Sequence, residues 1–212
     1  MSGKLIVIEG LDGSGKSTQW DMLQKALDGM TFITFPDYES YSGKIVKQYL
    51  NGEFGGENAY AASSFYAVDR YVNYESSWKD SYTNGSNIIS ARYTSSNVIY
   101  QMSKLSESEW ETYLNWLYDY EFVKLGIPKA DLTVFLDVPI EISQELLSKR
   151  YADGSGSRDI HEGDIQYLQK CYGAALYAAK RDNWVIIDCV ENGTLRSAAD
   201  INKELIRIIE GI

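Results

Sequence analysis

The chain has 212 residues, 44% hydrophobic and 24% charged, enough to bury a full core as one α/β domain. Its formal net charge of −10 is repelled at long range by nucleic acid and anionic membranes, so neither is expected as a partner. Two cysteines and one histidine exclude a disulfide framework and leave no zinc-ligand spacing, so Cys171 and Cys189 read as small core residues. The opening residues carry no cleavage site and no apolar run reaches bilayer length, so a cytoplasmic protein is expected.

The first predicted element is a strand over residues 4–9, whose branched apolar run ends in "GLDGSGKS". This octet, Gly10 to Ser17, satisfies G-x-x-x-x-G-K-[ST] between a buried strand and a helix, which is the context a phosphate cradle requires. Gly10 and Gly15 let the backbone curl so that N–H groups point at phosphate oxygens, and the next helix adds its positive end. Asp12, Gly13, Ser14 and Thr18 complete the predicted ATP-binding turn. Lys16 is expected to reach the β and γ phosphates, and the Ser17 hydroxyl to hold Mg2+. The motif leaves open whether the γ phosphate goes to water or to another molecule.

A second strand, residues 31–35, leads into "FPDYESYSG", and the helical stretch "FYAVDRYVNY" then sets Tyr66 and Arg70 four apart on one face. A third strand, residues 87–91, ends at "ARYTSSNVIYQ". In an open parallel sheet ligands bind beyond the carboxyl ends of the strands, so the segments after the second and third strands are expected to share a rim with the phosphate turn. Aromatic faces with guanidinium groups suit a nucleotide acceptor. With 17 tyrosines, however, a solvated helix face would give similar proximity, and residue types alone leave both readings open.

Further along, "SESEWETYLNWLYDYEF" gives Ser106 and Glu109 capping-box spacing and puts Trp110, Tyr113, Leu114 and Leu117 on one helical face. The strand over residues 132–137 ends in Asp137, expected to cap the following turn rather than hold the metal, because that strand need not neighbour the first. "YADGSGSRD" reads as the most flexible piece; Asp159 and Glu162 signal a helix start after it, with His161 on that first turn. The last strand, residues 184–188, precedes "VENGTLRSAAD". Pro36, Pro128 and Pro139 each fall at a strand boundary. Alternating strands and helices predict an α/β protein with a five-stranded parallel sheet flanked by helices.

The order of these motifs resembles the thymidylate kinase family of P-loop nucleoside monophosphate kinases: P-loop, Phe-Pro, arginine-bearing acceptor helix, Arg-Tyr, Ser-Asn-x-x-Tyr-Gln, "FLDVP", then a basic lid before a long helix. The resemblance implies a P-loop NTPase fold in one domain with a flexible lid at about 150–158. It also implies transfer of the ATP γ-phosphoryl group to the 5′-phosphate of dTMP, giving dTDP, with Mg2+ and a homodimer. By the same resemblance Asp12 accepts from the acceptor 3′-hydroxyl, Phe35 and Pro36 wall the pocket across a cis peptide bond, and Tyr38 can donate one hydrogen bond. Tyr66 would stack on thymine, Arg70 bond the base and Arg92 hold the acceptor phosphate, while Ser96, Asn97 and Tyr100 line the pocket, Asn97 and Tyr100 near the base methyl and the sugar 2′ edge. The segment after the last strand would lie against adenine. Gly13 stands where one branch of the family has arginine; in the glycine branch lid cations meet transition-state charge, a role open here to Lys149, Arg150 and Arg158.

Two departures from the family pattern stand out. Ala91 precedes Arg92 where an aspartate is usual, and Glu9, Asp12 or Asp69 is the candidate substitute carboxylate. Asp37 and Tyr38 follow Phe35-Pro36 where many relatives carry a basic residue, and Asp37 would repel a phosphate if it faced inward. These departures keep open another (deoxy)nucleotide or a deoxynucleoside as acceptor, and a nucleotide-binding protein with reduced catalysis.

Overall fold

A computed structural model describes residues 2–54, 58–152 and 164–212, the side chains of 150–152 excepted. The chain begins β1 (Leu5–Gly10), α1 (Lys16–Ala26), β2 (Thr31–Thr34), α2 (Tyr41–Leu50), α3 (Ala59–Asn73), α4 (Lys79–Thr83), β3 (Ile88–Ala91) and α5 (Thr94–Tyr100). It continues α6 (Trp110–Tyr118), β4 (Leu132–Asp137), α7 (Ile140–Ala152), α8 (Ile165–Asp182), β5 (Val185–Asp188), the short strands β6 (Val190–Glu191) and β7 (Thr194–Leu195), and α9 (Ala198–Glu210). The five longer strands form one parallel sheet in the order β2-β3-β1-β4-β5, as the alternating pattern predicts. Their bounds differ from the predicted ones by a residue at one or both ends of β1, β2, β3 and β5, because strand ends are set by pairing across the sheet rather than by local composition.

The central strand is buried throughout and apolar from Leu5 to Ile8 because both faces are covered. Ile6 and Ile8 pack with Leu23 of α1 and the Ile201, Leu205 and Ile209 stripe of α9. Leu5 and Val7 face the other way, against Phe35, Trp78 and Tyr93. Each such burial is worth about 1.5–3 kcal/mol, so the strand carrying the glycine turn is anchored from both sides. Cys171 and Cys189 are buried, as expected for core residues.

The predicted capping box is present: the Ser106 side chain meets the Glu109 backbone, and Glu109 returns to the Ser106 N–H at 3.1 Å. The helix it starts is not uniform. A 3-10 turn (Glu107–Glu109) leads into α6, and a π-helical segment (Asp119–Lys124) follows it. Helix α8 is capped by Asp164, whose side chain accepts from Tyr167 N at 3.0 Å; Asp159, His161 and Glu162 lie outside the described residues.

One expectation is corrected by the sheet order. Strand β4 does neighbour β1, with Gly10 paired to Leu136, so Asp137 stands on the same rim as the glycine turn. Its carboxylate accepts from Tyr172 of α8 at 3.1 Å and caps no helix turn. The turn after it is closed instead by Ser143 N donating to Pro139 O. Burial holds the Asp137 carboxyl above its ordinary pKa.

Candidate active site

Every strand of the sheet ends on one rim, and the glycine turn leaves the centre of it. Gly15, in the left-handed region at φ 82°, turns the chain into α1, so the first N–H groups of that helix open onto a cleft of about 1490 Å³. Asp12 through Thr18 line this cleft, with Ser17 and Thr18 exposed to it, and Thr34 and Ala91 from the ends of β2 and β3. Lys16 Nζ donates to Gly10 O and Leu11 O, both at 2.7 Å, which holds the ammonium over the turn. The far wall comes from Leu195, Arg196 and Ala198, within the stretch that the family resemblance places against adenine, and from Ile201 just after it. It is fastened by Arg196, which donates to Asp188 O at 2.6 Å and pairs with Glu204 at 2.7 Å. Gln19 of α1 also donates to Ala198 O at 3.0 Å.

A second cavity, about 690 Å³ with the open solvent at its mouth included, lies beside the first. Asp12, Phe35, Pro36, Tyr38, Tyr66, Arg70, Arg92, Ser96, Asn97 and Tyr100 all line it, so the residues singled out from four separate stretches of sequence, the glycine turn among them, meet in one place. Leu50, Tyr93 and Gln101 line it as well. Tyr93 and Gln101 flank residues chosen from the third stretch, whereas Leu50 ends α2 with no local signal. The Phe35–Pro36 peptide is cis. Asp37 is not among the lining residues: its carboxylate accepts from Glu39 N at 3.2 Å and from Asn73 Nδ2 at 3.3 Å.

Arg92 stands in the left-handed region at φ 68°, a conformation that costs a non-glycine residue about 1–3 kcal/mol and that clusters at functional sites. Its carbonyl accepts from Ser90 Oγ at 2.6 Å and its N–H donates to Ile8 O at 3.2 Å, which fixes the bend. The guanidinium donates to Asp12 Oδ1 and lies 5.2 Å from the Tyr100 ring centroid, while Tyr100 Oη donates to Asp12 Oδ2 at 3.2 Å. Burial favours the neutral form of Asp12, but the charges of Arg92 and Lys16 and the hydrogen bonds from Arg92 and Tyr100 outweigh it and hold the carboxyl below its ordinary value. Burial raises the Tyr66 and Tyr100 phenols, so both stay neutral at working pH.

The three candidate substitutes for a carboxylate at position 91 are not equivalent. Asp12 lines the phosphate cleft. Glu9 is buried and accepts from Tyr93 N, Ser95 Oγ and Ser96 Oγ, and Asp69 is buried and accepts from Asp37 N, Ser40 Oγ and Ser42 Oγ. Both are committed to holding backbone and hydroxyls. Of the lid cations, Lys149 is exposed on α7, while the Arg150 side chain and all of Arg158 lie outside the described residues.

A glycine-turn cleft and an aromatic, arginine-lined cavity, separated by Asp12 and Arg92, define a P-loop phosphotransferase with adjoining donor and acceptor sites. The family model for thymidylate kinase matches residues 8–200, and the chain belongs to that family. Among curated relatives it is 31% identical over 188 residues to a thymidylate kinase of Mycobacterium tuberculosis, covering 85% of this chain and 87% of that one. It is 28% identical over 225 residues to one of Caenorhabditis elegans, covering 99% and 91%. A solved thymidylate kinase structure from Candida albicans superposes with a TM-score of 0.76 at 27% identity, over 99% of this chain and 92% of that one.

Proposed function

We propose that the protein transfers the γ-phosphoryl group of ATP to the 5′-phosphate of dTMP, giving ADP and dTDP. An oxygen of the dTMP phosphate forms a bond to the γ phosphorus as the bond from that phosphorus to the β–γ bridging oxygen breaks. The attacking oxygen is already anionic, so the protein needs no strong general base; it needs alignment and charge neutralisation. The observation that carries this reading is the shared wall: Asp12 and Arg92 border both the phosphate cleft and the aromatic cavity, so phosphates held on either side meet across them.

In this reading the backbone of residues 13–18 and Lys16 bind the donor phosphates, and the stretch from Leu195 to Ala198 lies against adenine. Arg92 holds the acceptor phosphate, with Asp12 and Tyr100 locking its guanidinium from behind. Tyr66, Phe35 and Pro36 enclose the base, which Arg70 and Asn97 read, while Tyr38 and Ser96 complete the rim. Arg150 and Arg158 are assigned to transition-state charge on the family resemblance.

Mg2+ takes oxygen ligands and keeps much of its water, so it is held largely by nucleotide phosphates with one or two protein groups. The Ser17 hydroxyl, exposed at the cleft, fits that role, and no cluster of three acidic, His or Cys groups able to cage a metal occurs among the described residues. When bound, the ion supplies positive charge to the β and γ phosphates. The chain is assigned one kinase domain and a cytoplasmic, homodimeric existence; exposed Tyr41, Ile45, Val68 and Val72 on α2 and α3 offer apolar surface for the dimer. No helix among the described residues is long and apolar enough to cross a membrane.

The test is ADP release with MgATP against dTMP, dUMP, UMP, thymidine and no acceptor. Turnover strongest with dTMP is expected, and Lys16→Ala should lower kcat by about 10²–10³-fold, the usual cost of removing a group that meets developing charge. ATP binding without acceptor-dependent ADP would overturn the reading.

A further inference from the structure

Beneath the aromatic cavity lies a buried carboxylate that the catalytic scheme does not use. Glu121, fully buried in the π-helical segment after α6, accepts from four donors among the described residues. Arg70 Nη2 donates to Oε1 at 2.5 Å and Arg70 Nε to Oε2 at 2.7 Å. Thr94 Oγ1 donates to Oε2 at 2.7 Å, and Asn97 Nδ2 donates to Oε1 at 3.2 Å. An ionised carboxylate accepts only, with about four lone-pair sites, so these donors saturate it.

The consequence falls on two residues that face the cavity. Arg70 spends Nε and one Nη2 hydrogen on Glu121, and one Nη1 hydrogen goes to Tyr93 O at 3.3 Å, so one hydrogen on Nη1 and one on Nη2 are what it can offer a ligand. Asn97 places Nδ2 against two acceptors, Glu121 Oε1 and Ser63 O, each at 3.2 Å. A flipped amide would set Oδ1 against both, oxygen against oxygen, so the carboxylate and the Ser63 carbonyl together fix the orientation and leave Oδ1 as the atom Asn97 can show the cavity.

We propose that Glu121 is a specificity-determining positioning residue: it sets the polarity of the base-reading wall, making Arg70 a donor and Asn97 an acceptor. A donor beside an acceptor complements a pyrimidine imide edge, which presents a carbonyl oxygen next to an N–H. It opposes a cytosine edge, where the amino group and the bare ring nitrogen reverse that order. A site with buried polar groups rejects a ligand that leaves them unpaired far more strongly than shape alone does. This inference rests on the dTMP reading above.

The experiment is steady-state kinetics with dTMP and dCMP on wild type, Glu121→Gln, Glu121→Asp and Thr94→Val. Glutamine keeps the volume but brings an NH2 group to Arg70 or Asn97, which removes ionised acceptor strength from Arg70 and sets against the Asn97 amide a partner that competes with the orientation Ser63 O favours. The expected result is a fall of at least tenfold in the ratio of kcat/KM for dTMP over dCMP, carried by KM for dTMP, with KM for ATP within twofold of wild type. Glu121→Asp, still an acceptor only, should keep most of the preference, and it decides the question if the glutamine variant does not fold. Thr94→Val removes a donor without reversing polarity, so it should lower thermal stability and leave the ratio unchanged. A folded Glu121→Gln enzyme with an unchanged ratio, or a Glu121→Asp enzyme that has lost it, overturns the inference. Wild type with no dTMP turnover overturns the dTMP reading itself, and this inference with it.

Discussion

Asp12 takes contacts from three directions: the Arg92 guanidinium, the Tyr100 hydroxyl and, at 3.9 Å, the Lys16 ammonium. Its pKa in the folded chain lies below the ordinary 3.8, so the stability it contributes is fully present above that value and is lost as pH falls through the lowered one. Asp12→Asn should therefore melt below wild type at pH 6, and the gap should narrow as pH drops below 3.8; a gap that stays constant to pH 2 would mean that the ionised carboxylate adds nothing. At this scale the cavity was largely legible, because its residues fall in short stretches where an aromatic and an arginine are close in sequence. Glu121 was not read. It continues the buried face of Trp110, Tyr113, Leu114 and Leu117 by one more turn, and a carboxylate there is a visible anomaly. Its partner Arg70 lies 51 positions away, beyond any spacing rule.

Among elements, α7 presses closely on the glycine turn at Gly13. A Cβ added at Gly13 would come 2.4 Å from Ser143 O on that helix, and the backbone there is at φ +81°. Gly29 has a similar φ of +77° with nothing within 4 Å, so it isolates strain from contact. Gly13→Ala should cost about 1–3 kcal/mol for the backbone conformation plus the displacement of α7. Its loss in thermal stability should exceed that of Gly29→Ala, accompanied by a fall in kcat that the control does not show; equal losses in both would remove α7 from the account. The glycine reading came from family branches, and the contact supplies its local cause: no side chain fits between turn and helix. Elements defined by local pattern were legible, including the capping box and the five parallel strands. The neighbour of β1 was not, since nothing in the run over residues 132–137 says where in a sheet it will pair, and Asp137 was misassigned for that reason. The β6–β7 hairpin was missed because two-residue strands give no periodicity.

For the whole molecule, the order β2-β3-β1-β4-β5 sets the glycine turn at the middle of the rim and gathers the residues of the aromatic cavity on the β2 and β3 side. Composition and alternation predicted the sheet and its parallel sense, while strand order and the joining of two cavities arise from crossovers that local sequence does not encode. The partition between those cavities, Asp12 with Arg92, belongs to both. A boundary one ion pair thick makes the two binding equilibria a single linked system: a ligand that draws on Arg92 from one side alters what the other side meets. Linkage then demands symmetry, so whatever factor ATP applies to the affinity for dTMP, dTMP must apply to the affinity for ATP. Calorimetric titration of each nucleotide, alone and with a non-reacting analogue of the other, should give the same factor from both directions, and Asp12→Asn should move it towards one.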